Sequence, residues 1–174
     1  MKIVLIGYMG CGKSTIGKNL AALLDFTFKD LDHVIEAEEK MMISEIFSKK
    51  GEIYFRKKEI LMLKTVLDAK NNLILATGGG TPCFGNTIKF LNSNKKITTV
   101  YLKSSIDVLT KRLFSEKEHR PLISHFETMK GVNDFVSKHL FERSYYYNQA
   151  KIKIDVDFLS LEEISESIKA KLLV

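Results

Sequence analysis

The segment Gly7-Tyr8-Met9-Gly10-Cys11-Gly12-Lys13-Ser14 carries glycine, lysine and hydroxyl residues at the spacing G-x-x-x-x-G-K-[ST]. Residues without a Cβ let a chain wrap its N–H groups around phosphate oxygens, a following helix N-terminus adds positive potential, and the lysine ammonium reaches the outer phosphates. The Ser14 hydroxyl is then placed to ligate Mg²⁺, with a carboxylate from a neighbouring strand end as the second protein ligand. Asp30 and Asp32 are the candidates. In extended backbone, residues two apart point the same way, so both carboxylates are expected to face the site together. On spacing alone the pair also fits a solvated turn. Arg56, Arg120 and Arg143 offer planar, permanently charged groups suited to a small anionic acceptor, although any one of them by itself fits an exposed surface charge.

Such residues must be held at strand ends, and hydrophobic periodicity predicts the strands. The apolar run 3–6 reads as a buried strand ended by Gly7, and Ile16, Leu20, Leu23 and Leu24 mark one face of a helix over 13–24. Residues 26–28 read as a brief strand and 33–40 as a helix, while Ser44 caps another short helix that Gly51 ends. A helical period runs over 52–70. The next buried strand, 73–76, stops at Gly78-Gly79-Gly80. A modest helix over 86–93 leads to a strand over 97–102, and Ser104 with Asp107 gives a capping-box pattern for a helix reaching 113. Residues 114–126 lack periodicity and read as a mobile surface loop, a candidate lid. A long helix over 131–148, a half-exposed edge strand over 151–157 and a final helix capped by Ser160 and Glu163 complete the chain. Strands alternating with helices predict a doubly wound α/β sheet, whose ligands collect at the carboxyl ends of the strands.

Composition is consistent with this. The 174 residues predict one domain over 1–174, and 45% apolar with 28% charged residues exclude wholesale disorder, collagen-like repeats and a coiled coil. A net charge of +6 suits nucleic acid or small anions equally, but the basic residues are scattered and Trp is absent, which argues against a nucleic-acid partner. Cys11 and Cys83 are too few for a disulfide scaffold and wrongly spaced for zinc. The apolar stretch at the N-terminus is shorter than a signal-peptide core and no stretch approaches membrane-spanning length, so a cytoplasmic protein without a membrane partner is expected.

Taken in order, the phosphate loop, Asp30-x-Asp32, Gly51-Glu-x-x-Phe-Arg-x-x-Glu59, Gly78-Gly79-Gly80, and Arg120-Pro-Leu followed by Arg143 resemble the shikimate kinase family. The resemblance runs from Gly7 to about Ala150. It implies a three-layer P-loop kinase fold with a five-stranded parallel sheet in the order 2-3-1-4-5, a substrate-binding segment over about 32–60 and a lid over about 114–126. It implies transfer of the ATP γ-phosphoryl group to the 3-hydroxyl of shikimate, a step of aromatic amino acid (chorismate) biosynthesis, by a Mg²⁺-dependent monomer. Residue by residue, it implies that Gly10, Cys11, Gly12, Lys13, Ser14 and Thr15 hold the nucleotide phosphates. Arg112 lies against adenine, and Ser14 and Asp30 serve the metal. Asp32 accepts hydrogen bonds from the shikimate hydroxyls, Arg56 and Arg143 grip its carboxylate, Gly78, Gly79 and Gly80 approach it closely, and Phe47 and Phe55 wall its pocket. Lys13, Asp32 and Arg120 are the implied catalytic residues, Arg120 neutralising the transferring phosphate.

The chain departs from the family pattern in two places. Tyr145 stands where the family often has Pro, two residues after the second carboxylate-binding arginine, and Cys11 fills a position usually held by Ser or Ala. A thiol at a helix N-terminus can be acidified, or can simply fill space. Two rivals stand beside the family reading: another small-molecule kinase of the same fold, such as a gluconate or nucleotide kinase, and a non-catalytic nucleotide-binding module. Paired arginines flanking a triple-glycine strand end favour a carboxylated polyol over an acceptor bearing a base.

Overall fold

The computed structural model describes residues 1–172. The last two residues of the expected 1–174 domain lie outside the described residues. In chain order the elements are β1 (Lys2–Ile6), α1 (Lys13–Leu24), β2 (Thr27–Asp30), α2 (Leu31–Glu39), α3 (Ile43–Asp68), β3 (Leu73–Ala76), α4 (Thr87–Ser93), β4 (Ile97–Lys103), α5 (Ile106–Ser115), α6 (Met129–Tyr147), β5 (Ile152–Asp155) and α7 (Leu161–Leu172). The strands form one five-stranded parallel sheet in the order β2-β3-β1-β4-β5. β1 and β3 are buried along their whole length, as strands covered by helices on both faces must be. α1 and α7 pack against each other, α4 packs on β4, α5 on α6 and α2 on α3.

Register brings the chemistry to one edge. Leu5 pairs with Ala76, and Ala76 in turn with Asp30, so Gly7, Asp30 and the Thr77–Gly80 segment all leave the sheet at the same end. The first helix starts at Lys13 with Gly12 as its N-cap at φ 92°, a left-handed conformation that favours glycine. It has no side-chain cap and no acidic residue in its first turn, so its leading N–H groups remain available to an anion.

Several local expectations are corrected. Asp30 and Asp32 do not share an extended segment: Asp30 ends β2 and caps α2, its Oδ1 accepting the Asp32 N–H at 3.1 Å. Helix capping, rather than strand alternation, brings the two carboxylates together. Ser44 lies inside α3, whose N-cap is Met42, because the Glu45 carboxylate reaches back to the Met42 N–H. Gly51 breaks that helix at φ 80°, ψ 169° without ending it, so two half-helices meet there. Ser105, not Ser104, caps α5; Ser104 instead donates its hydroxyl to Asp157. α6 begins at Met129 because Thr128 accepts the Gly131 N–H. Within 114–126 a short 3₁₀ turn forms at Lys117–His119, and Ile123 is fully buried, which anchors the middle of the expected surface loop in the core.

Candidate active site

A cavity of about 330 Å³ opens at the carboxyl edge of the sheet, lined by Gly10, Gly12, Lys13, Ser14, Thr15, Asp30, Asp32, Gly78, Gly79 and Arg120, and additionally by Met9, Thr77 and Glu116. Two features give this cavity a cradle suited to phosphate: the uncapped start of α1 and the Lys13 ammonium, which donates to Gly7 O at 2.9 Å and Tyr8 O at 2.8 Å across the loop. Beside it, Ser14 Oγ donates to Asp30 Oδ2 at 2.6 Å. This hydroxyl and carboxylate are hard oxygen donors of the kind Mg²⁺ prefers. Among the described residues no group of three or more His, Cys, Asp or Glu side chains could hold a metal ion.

Asp32 sits at the junction between this cradle and the glycine turn. Burial, reinforced by the negative charges of Asp30 and Glu59 and opposed by Lys13, pushes its carboxyl up to about 6. Its Oδ1 lies 3.2 Å from where a Cβ on Gly78 would be, and Glu59 Oε1 lies 3.3 Å from the same point.

The arginines converge on the same turn from two helices. Arg56 on α3 donates Nη1 to Glu59 Oε2 at 2.8 Å, and its guanidinium lies 5.2 Å from the centre of the Phe55 ring and 5.8 Å from that of Phe84. A Cβ on Gly80 would fall 2.7 Å from Arg56 Nη2, so only glycine permits that approach. From α6 comes Arg143, whose Nη1 lies 3.6 Å from a Cβ position on Gly79 and whose guanidinium faces the Tyr8 ring. Phe47 and Phe55 stack at 4.5 Å, Phe55 buried and Phe47 partly exposed. The residues 32, 56 and 143 therefore surround one turn, although Arg56, Arg143, Gly80 and the two phenylalanines are not among the residues lining the cavity.

Cys11 and Arg112 lie in an adjoining hollow of about 310 Å³, which shares Gly10, Gly12, Thr15 and Glu116 with the first and is closed by Val156, Leu159 and Leu161. Arg112 donates to Gly10 O at 3.2 Å. The Cys11 thiol is buried, and it packs under the loop, where a Cβ on Gly7 would touch its Sγ at 2.9 Å. That is the space-filling reading of this residue. Asp157 fixes the rim of the hollow by accepting from the Ser104 hydroxyl and, at 2.8 Å, from the Ser105 N–H.

Sequence reasoning missed several supports. Glu59 was visible in a motif but had no role; with 1% of its surface exposed it holds both Arg56 and the Thr81 hydroxyl, the latter at 2.6 Å. Its three-residue spacing from Arg56 on one helix face was the available signal. Tyr147, four residues after Arg143, donates its hydroxyl to Gly79 O at 2.7 Å, and burial pushes that hydroxyl well above its ordinary value, so it stays a neutral donor. Tyr8, pushed up to about 12 by burial, shares its hydroxyl with His139 Nδ1 at 3.4 Å. Nothing local in the sequence pairs Tyr8 with a helix more than a hundred residues away.

Known proteins resemble this chain over its whole length. A family model described as shikimate kinase matches residues 9–173. A shikimate kinase of Flavobacterium johnsoniae is 47% identical over 167 residues, covering 96% of each chain. Among solved structures, a shikimate kinase from Bacteroides thetaiotaomicron superposes with a TM-score of 0.92 at 34% identity, covering 100% of this chain and 99% of that one. A shikimate kinase from Acinetobacter baumannii in complex with shikimate gives a TM-score of 0.87 at 31% identity, covering 99% and 92%.

Proposed function

The chain belongs to the shikimate kinase family, and from that premise we propose how its residues transfer the γ-phosphoryl group of ATP to the 3-hydroxyl of shikimate. One observation carries the assignment of roles: Asp32 stands between the Lys13 phosphate cradle and a glycine turn that two arginines approach at close range. A donor phosphate on one side and a carboxylated polyol on the other would meet at that carboxylate.

In this reading the α1 N–H groups and Lys13 hold the β- and γ-phosphates, and Arg112 with the hollow beside it takes the base. Arg56 and Arg143 grip the shikimate carboxylate, since guanidinium forks match carboxylate geometry and remain charged at any working pH. The backbone at Gly79 and Gly80 lets the ligand come close. Asp32 orients the 3-hydroxyl. As the new O–P bond forms and the bond to the β-phosphate oxygen breaks, the hydroxyl proton passes to Asp32, and Arg120 meets the charge on the transferring group. Ser14 and Asp30 fit Mg²⁺, which when bound supplies charge neutralisation to the phosphates.

The deciding measurement is ADP formation in a coupled assay. ADP release that depends on shikimate, and is not supported by gluconate or nucleoside monophosphates, is the expected result. Equal turnover with those acceptors, or release independent of any acceptor, would overturn the assignment.

A further inference from the structure

Arg120 is not free on the cavity wall. Its Nε, at 3.1 Å, and its Nη2, at 2.5 Å, both donate to one oxygen of Glu116, four residues earlier in the chain. Glu116 terminates α5, where its N–H closes on Arg112 O at 3.2 Å, so the backbone that carries this carboxylate is fixed by the same helix that carries Arg112. Among the residues lining the two adjoining hollows, Glu116 belongs to both, together with Gly10, Gly12 and Thr15. A nucleotide with its base in one hollow and its phosphates in the other has to pass this carboxylate.

We propose that Glu116 is a resident counter-ion for Arg120, a positioning residue that competes with the nucleotide polyphosphate for the arginine's Nε/Nη2 edge and so weakens binding of ATP and ADP. The inference rests on the kinase reading above. Its physical basis is a shared donor set: the guanidinium edge that would fork onto phosphate is the edge that Glu116 occupies, and phosphate must displace the carboxylate to engage it. The pair is partly solvated, with 31% of the Arg120 and 52% of the Glu116 side chain exposed, so the competition is modest and readily reversed. A reversible counter-ion would keep Arg120 at the mouth of the phosphate cradle while letting product leave.

The test is calorimetric titration of the wild-type protein and the Glu116→Gln variant with ADP, ATP and AMP at low ionic strength. Glu116→Gln is expected to tighten ADP and ATP by about two- to five-fold, the range of an exposed ion pair, and to affect AMP less, because AMP lacks the outer phosphates. The difference should shrink with added salt and vanish in an Arg120→Met background. Unchanged or weaker ADP binding in Glu116→Gln, an equal gain for AMP, or a gain that survives removal of Arg120 would each overturn the proposal. A failure of the kinase reading looks different: ADP release in the coupled assay would not depend on shikimate, whatever the nucleotide affinities of the wild-type and Glu116→Gln proteins.

Discussion

At the scale of single residues, the site depends on charges placed where water is scarce. Asp32 is the clearest case. Because burial and the neighbouring carboxylates of Asp30, Glu59 and Glu36 hold its proton up to about 6, against 3.8 ordinarily, the folded chain binds that proton more readily than the unfolded one. Its contribution to stability is therefore present below about pH 4 and lost as pH rises through about 6, at a cost on the order of 3 kcal/mol. Asp32→Asn should melt several degrees above wild type at pH 7.5 while the two converge near pH 4, measured by thermal unfolding. The same substitution should collapse turnover, and kcat/KM for shikimate, which in wild type should climb through about pH 6 as the carboxylate ionises, should lose that limb. Arg143→Ala should raise the KM for shikimate about ten- to a hundred-fold, the worth of a charge-assisted contact, and leave the KM for ATP within two-fold in steady-state assays.

At the scale of elements, secondary-structure junctions aim the side chains. The N-cap of α2 turns Asp30 toward Ser14 and draws Asp32 beneath it, and the stripe His139, Arg143, Tyr147 on α6 lies along one helix face because residues four apart are stacked. The Gly78–Gly80 turn is where these elements meet. Gly80 has ordinary backbone angles, φ −85° and ψ −18°, so Ala would fit its conformation but drive a methyl against Arg56. Gly80→Ala is accordingly expected to fold normally and to raise the KM for shikimate at least several-fold, with the ATP requirement unaltered. Equal loss for both substrates would show that the turn itself had moved.

At the scale of the whole molecule, the segment carrying Phe47, Phe55 and Arg56 is held by a long-range clasp. Glu39 at the end of α2 accepts Lys50 at 2.5 Å from one half of α3, and Tyr54 at 2.9 Å and Lys58 at 2.9 Å from the other, across the Gly51 break. These donors, Lys50 first, hold the Glu39 carboxyl down to about 2, so its stabilising share is present above pH 4.5 and lost as pH falls toward 2. Glu39→Gln should loosen the two half-helices, raise the KM for shikimate a few-fold without touching the ATP site, and flatten the dependence of melting temperature on pH between 4.5 and 2. An unchanged KM would mean that the half-helices need no clasp to hold Arg56.

The phosphate loop and the strand and helix order were legible from sequence because each is encoded within a few residues: a glycine spacing, a period of 3.6, an apolar run between breakers; the arginines, each by itself indistinguishable from a surface charge, were singled out by the resemblance to a known family. Boundaries failed where two neighbouring side chains compete for one cap, as Ser104 and Ser105 do, since the winner depends on whether Asp157 arrives to claim the other. Nothing local could give the proton affinity of Asp32, the burial of Glu59 under Arg56, the meeting of Tyr8 with His139 or the anchoring of Ile123. Those properties are set by which distant segment covers a residue and which charge it brings along, and only the closed chain decides that.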